Sequence, residues 1–154
     1  MKFHKTTEYA FRIMGYMASG EKALYTTEEI YHTLQIPRRY LRKLMVTLGK
    51  KELITGTRGK NGGYILRKNP EEITLLDIAE AMNDEIFTHT CFFGFEQCRL
   101  SETPCIMHKK WEDIKSSIEK VLRETSLSDL KKENTQKYIV GNTINIHSLN
   151  SLLW

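Results

Sequence analysis

The stretch 38–51 constrains the fold more than any other. Leu41, Leu44, Met45 and Leu48 fall at i, i+3, i+4 and i+7, the apolar stripe of one helix face, while Arg38, Arg39, Arg42, Lys43, Lys50 and Lys51 crowd the rest of the surface. Such a helix must lay its stripe on a core supplied by other elements and keep its charge outside. Pro37 suits the first turn of that helix, where a missing N–H costs nothing. Upstream, Thr26 with Glu29 three residues on predicts a capping box that opens a short helix ending near Leu34. Earlier still, Tyr9, Ala10, Ile13, Met14, Tyr16 and Met17 recur at helical spacing over about residues 3–19, and Gly20 is placed to end the run.

After residue 52 the period changes. Leu53, Ile54 and Thr55, and then Tyr64, Ile65 and Leu66, are strand-like; the glycine-rich, basic stretch 56–63 between them predicts a hairpin with a long tip. Thr74 opens another amphipathic helix, with Leu75, Leu76, Ile78, Ala79 and Met82 on its apolar side. A long helical pattern follows over about residues 108–124, carried by Trp111, Ile114, Ile118, Val121 and Leu122, and then a short helix capped by Ser126. Helix, short helix, tight turn, basic helix and two-stranded hairpin come in the order of a winged helix-turn-helix, so the expected fold is mainly α with a two-stranded β wing and a long C-terminal helix. The expected divisions are a DNA-binding domain over 1–83, a loop over 84–107, the long helix and its short successor over 108–140, and a tail over 141–154 to which the sequence assigns no role.

Charge is divided along the same lines. Residues 1–70 hold 14 Lys and Arg against 5 Asp and Glu, a net of +9; residues 71–154 hold 9 against 14, a net of −5. A basic half joined to an acidic one points to a module that binds a polyanion. A helix fits the major groove of B-DNA, and Arg38, Arg39, Arg42 and Lys43 at its start offer donors to bases and phosphates. Tyr40 can bond a phosphate or touch a thymine methyl. Arg58 and Lys60 flank the hairpin glycines and suit a narrow minor groove. A nucleotide-binding loop is the competing reading of the glycines, but Gly59-Lys60-Asn61-Gly62-Gly63 lacks the P-loop spacing and leads into a strand. No dinucleotide motif, no Cys-x-x-Cys and no acid–base pair accompanies the cysteines, so an enzyme is not expected. No run approaches 18 apolar residues and no apolar run follows the basic start, so neither a membrane helix nor a secretory signal is expected, and the chain is expected to work in the cytosol.

Cys91, Cys98 and Cys105 are spaced seven residues apart, and His108 follows the last by three. Structural zinc sites usually pair cysteines two to four residues apart, and that pairing is missing. An iron–sulfur cluster accepts wider loops because its ligands reach separate iron atoms. Three thiolates leave a fourth position for another side chain, a second subunit or an open site. That count favours a 4Fe–4S cluster and leaves a 2Fe–2S cluster open. Phe92, Phe93 and Phe95 can shield such a group, although aromatic residues are more often plain core. A thiol switch without metal also remains open.

The wing Arg58-Gly59-Lys60-Asn61-Gly62-Gly63-Tyr64, the opening Thr7-Glu8-Tyr9-Ala10-Phe11-Arg12 and the three cysteines after the fourth helix together resemble the IscR/NsrR/CymR family of bacterial winged-helix regulators, over about residues 1–140. The resemblance implies a homodimeric transcription regulator, a repressor in the NsrR-like branch. It would carry a cluster in each subunit, join its subunits through the long helix, and read a palindromic site on double-stranded DNA. It would respond to nitric oxide or an oxidant, or, in the IscR-like branch, to the supply of clusters. The NsrR-like pattern places Glu8 of the partner subunit as fourth ligand, where that branch carries the shorter aspartate. The IscR-like pattern places His108 there instead.

Overall fold

A computed structural model describes residues 3–20, 22–59, 61–84, 91–93, 95, 105–132 and 139. The order is α1 (Lys5–Ser19), α2 (Thr27–Leu34), α3 (Arg38–Lys50), β1 (Ile54–Thr57), β2 (Gly63–Leu66), a 3-10 turn (Pro70–Glu72), α4 (Leu75–Ala81), α5 (Ile106–Glu124) and α6 (Leu127–Lys132). This is the mainly helical, winged architecture expected from the sequence.

The local signals act much as their chemistry demands. Thr26 accepts the Glu29 N–H at the start of α2. The reciprocal arm of that capping box is not made, because the Glu29 carboxylate is taken by Lys22 and by the hydroxyl of Tyr16. Pro37 stands one position earlier than expected, as the residue preceding the first turn of α3. Thr74 opens α4 with a full capping box to Asp77, and Ser126 opens α6 with the same exchange to Asp129.

α1, α2 and α3 pack around Ile13, Met14, Ile30, Leu34, Leu41, Met45 and Leu48, all fully buried. The stripe of α3 supplies Leu41, Leu44, Met45 and Leu48, each worth roughly 1.5–3 kcal/mol of burial. α6 closes the same core by setting Leu127 against α1. Its entry is fastened to α4: Leu127 N–H donates to Ile73 and Leu75 N–H donates to Thr125, both at 2.9 Å. Arg12 donates to the carbonyls of Leu34 and Ile139, tying α1 to the end of α2 and to the C-terminal segment.

β1 and β2 pair antiparallel, Ile54 opposite Leu66 and Thr57 opposite Gly63. A third segment joins them: Tyr25 and Tyr64 exchange both backbone hydrogen bonds, at 2.8 and 2.9 Å. Gly63 is required by that approach, since a Cβ there would lie 2.7 Å from the Tyr25 oxygen. At the tip the chain turns through Gly59, at φ +116°.

Candidate nucleic-acid interface and cysteine region

Residues 39, 42, 43 and 46 share one face of α3, opposite its buried stripe, and all four are exposed. Among the described residues, Arg39, Arg42, Lys43 and Arg58 take part in no ion pair. Arg39 lies over the ring of Tyr40, and Tyr40 leans on Tyr9 of α1, which turns its hydroxyl-bearing ring towards the α1 side of the helix. Arg58 stands on the exposed wing tip; Lys60 lies outside the described residues.

Arg38 is differently placed from the other basic residues of α3. Its guanidinium bonds both carboxylate oxygens of Glu28, at 2.5 and 2.6 Å, and sits 4.2 Å from the centre of the Tyr31 ring. That hydrogen bonding lowers the Glu28 pKa and raises that of Arg38. His32 adds a 2.9 Å contact to the same carboxylate. Arg38 therefore bridges α2 and α3 across the turn between them. Sequence reasoning missed this role because it counted the cation without its carboxylate ten residues earlier. It also passed over Val46, half exposed in the middle of the cationic face, because a valine in an amphipathic helix reads as core.

Cys91 and Cys105 are free and partly buried; Cys98 lies outside the described residues. Among the described residues no three ligand-type side chains gather at one point. Cys105 is the residue that opens α5, and the N–H of His108 donates to its carbonyl, so the two side chains share the first turn of that helix. His108 is partly buried, with its Nε2 3.4 Å from Glu112. Phe92 sits edge-on to both Phe93 and Trp111, and the indole Nε1–H of Trp111 is buried with no acceptor among the described residues. Glu8 lies on the first turn of α1, its carboxylate held 2.7 Å from Lys5.

The start of α1 is fastened to the end of the α4 segment. The carboxylate of Asp84, buried at the end of the α4 segment where the cysteine loop begins, accepts the His4 N–H at 2.9 Å. It thus caps the positive end of α1 with a negative charge. α5 itself is about 28 Å long and leaves Ile106, Ile114 and Val121 exposed, with only Leu122 buried.

A profile of the Rrf2 family, described as iron-dependent transcriptional regulators, matches residues 3–133. The chain belongs to the Rrf2 family. It is 35% identical over 131 residues to an HTH-type transcriptional regulator of Aquifex aeolicus, a match spanning 84% of this chain and 91% of that one. It is 31% identical over 138 residues to the HTH-type transcriptional regulator NsrR of Oceanobacillus iheyensis, covering 88% and 93% of the two chains. Among solved structures, IscR of T. potens superposes with a TM-score of 0.67 at 28% identity, over 88% of this chain and 91% of that one. The family expected from the wing and the cysteine spacing is thus the family found, and a transcription regulator rather than an enzyme is what its members are. Among the described residues no helix is long and apolar enough to cross a membrane.

Proposed function

We propose that this DNA-binding transcription regulator is a homodimeric repressor whose grip on a palindromic operator is governed by an iron–sulfur cluster held at Cys91, Cys98 and Cys105. The observation that carries this reading is the chemistry of the α5 entrance. Two free thiols flank the segment that leads into α5, an imidazole and a buried indole N–H without an acceptor among the described residues lie on the first turns of α5, and the other described half of the chain is a helix-turn-helix. Sulfide or thiolate is an acceptor that would satisfy the Trp111 N–H, so the residues present fit the group. The 4Fe–4S form suits three thiolates and one further ligand; the 2Fe–2S form uses the same set. When bound, the cluster would supply iron that reacts with nitric oxide or an oxidant.

The chain's own residues then do the rest. Thiolates anchor three positions; the fourth is a weaker oxygen or nitrogen donor and so the position that opens first. Glu8 of the partner subunit in that role would hold the α1 of one subunit to the loop of the other. Asp84 would carry any movement of the loop start to the end of α1 within one chain. Two recognition helices set at a fixed separation lose an operator when that separation changes. The resemblance to NsrR supports nitric oxide as the signal.

A second reading, a regulator that senses cluster supply, is favoured by His108. A metal-bound histidine commonly gives its other ring nitrogen to a carboxylate, and Glu112 stands where that partner belongs. Anaerobic purification with visible absorption, iron and sulfide analysis tests both. The proposal expects a brown protein that bleaches faster as Glu8→Ala or as His108→Ala, whichever supplies the ligand, and fails to assemble as Cys98→Ser. A colourless wild-type protein with no iron or sulfide would overturn it and leave a metal-free thiol regulator.

A further inference from the structure

We infer that base reading by α3 is divided between arginines that take guanine and an apolar contact at Val46 that takes a thymine methyl, while Arg38 reads nothing. This rests on the DNA-binding reading above and deepens it to the composition of the half-site.

Three observations carry it. Arg39, Arg42, Lys43 and Val46 stand at i, i+3, i+4 and i+7, a single exposed stripe on the face opposite the core. A lone exposed valine elsewhere on a protein would need no account; here a 50% exposed one sits within a stripe otherwise made of unpaired cations. Arg38, the first residue of the helix, is occupied by Glu28 and Tyr31 of α2.

The chemistry then assigns the bases. The major-groove edge of guanine offers two acceptors that a guanidinium takes together, and thymine alone offers a methyl group. Valine has no donor or acceptor, so among the four bases it gains only from that methyl. From 39 to 46 the helix rises about 10 Å, about three base-pair steps. Each half-site is therefore expected to place a thymine within about three base pairs of one or two guanines, with Lys43 at the edge of the stripe reaching phosphate.

The test uses the full-length dimer and a pool of random-sequence DNA duplexes. After selection, each thymine of the winning duplex is replaced in turn by deoxyuridine, which removes the methyl and nothing else. The expected result is a loss of about fourfold in affinity at one symmetry-related thymine, the factor that one buried methyl group is worth (about 0.8 kcal/mol). Val46→Ser should bind the thymine and uracil duplexes alike. Wild-type protein indifferent to every uracil overturns the inference while leaving DNA binding intact, and this arm needs no variant to fold. A Val46→Ser protein that keeps the discrimination also overturns it. Selection that enriches no sequence at all overturns the DNA-binding reading with it.

Discussion

α1 and α5 are long amphipathic helices with opposite fates. α1 buries Thr7, Ala10, Ile13, Met14, Gly15, Met17 and Ala18 within its own chain. α5, four residues longer, buries Leu122 and leaves Ile106, Ile114 and Val121 to the outside. The charge follows suit, since the half built around α1 is strongly basic and the half built around α5 is acidic. The difference teaches that one half has closed its core and turned a finished surface to a partner. The other still has an apolar face to cover. A second copy placed antiparallel or crossed along α5 would cover it, which is why the proposed homodimer is drawn there.

Breaking each side of this comparison should give unlike results. The largest effect is expected in the closed core. Ile13→Ala should lose about 2–5 kcal/mol in denaturant unfolding, and a loss below 1 kcal/mol would mean that the helices do not meet as described. On α5, Ile114→Asp should weaken the proposed dimer about tenfold or more while leaving the fold of each subunit in place; sedimentation across a concentration series reads it, and a dimer unchanged by the substitution would move the interface elsewhere. On the basic face, Arg42→Ala should cost about 1–3 kcal/mol of operator binding and relax specificity. Arg58→Ala should weaken binding with a shallower salt dependence. At the join between the halves, Thr74→Ala removes the cap that starts α4 and should cost about 1 kcal/mol in thermal unfolding.

The smallest effect is one of pH. The Glu28 carboxyl titrates below its ordinary value of 4.5 in the folded chain because Arg38 bonds it. Its contribution to stability is therefore complete above about pH 4.5 and is lost as pH falls further through the lowered value. Glu28→Gln should lower stability slightly near neutrality, meet the wild type once pH falls below the lowered value, and so flatten the profile between; a variant as stable as the wild type at neutral pH, with an identical acid profile, would remove the pair from the fold's support.

What could be read from the sequence follows from how local each signal is. The stripe of α3, the cap at Thr26 and the glycines of the wing are set by residues a few places apart, and each stands where periodicity placed it. The Arg38–Glu28 pair, the bridge from Tyr25 to Tyr64 and the Asp84 cap on α1 join residues 10, 39 and 80 positions apart. No pattern within one helix announces such a contact, because it depends on how elements pack. Glu29 shows the converse. Its spacing from Thr26 predicts a reciprocal cap, and only the Thr26 arm forms, because Lys22 and Tyr16 from outside the helix take the Glu29 carboxylate. The spacing of the cysteines marks them as a candidate ligand set, whereas the orphaned Trp111 N–H on α5 has no signal in the sequence, since burial of a polar atom is a fact of tertiary structure.

In the proposed mechanism the state of the cysteine region sets how the basic face meets DNA. Titration of an operator duplex, obtained by selection, with protein prepared under argon, before and after stoichiometric nitric oxide, tests it most directly. The account predicts tight, salt-sensitive binding by the coloured protein and a loss of at least tenfold once the colour is bleached. Equal affinity in both states would contradict it.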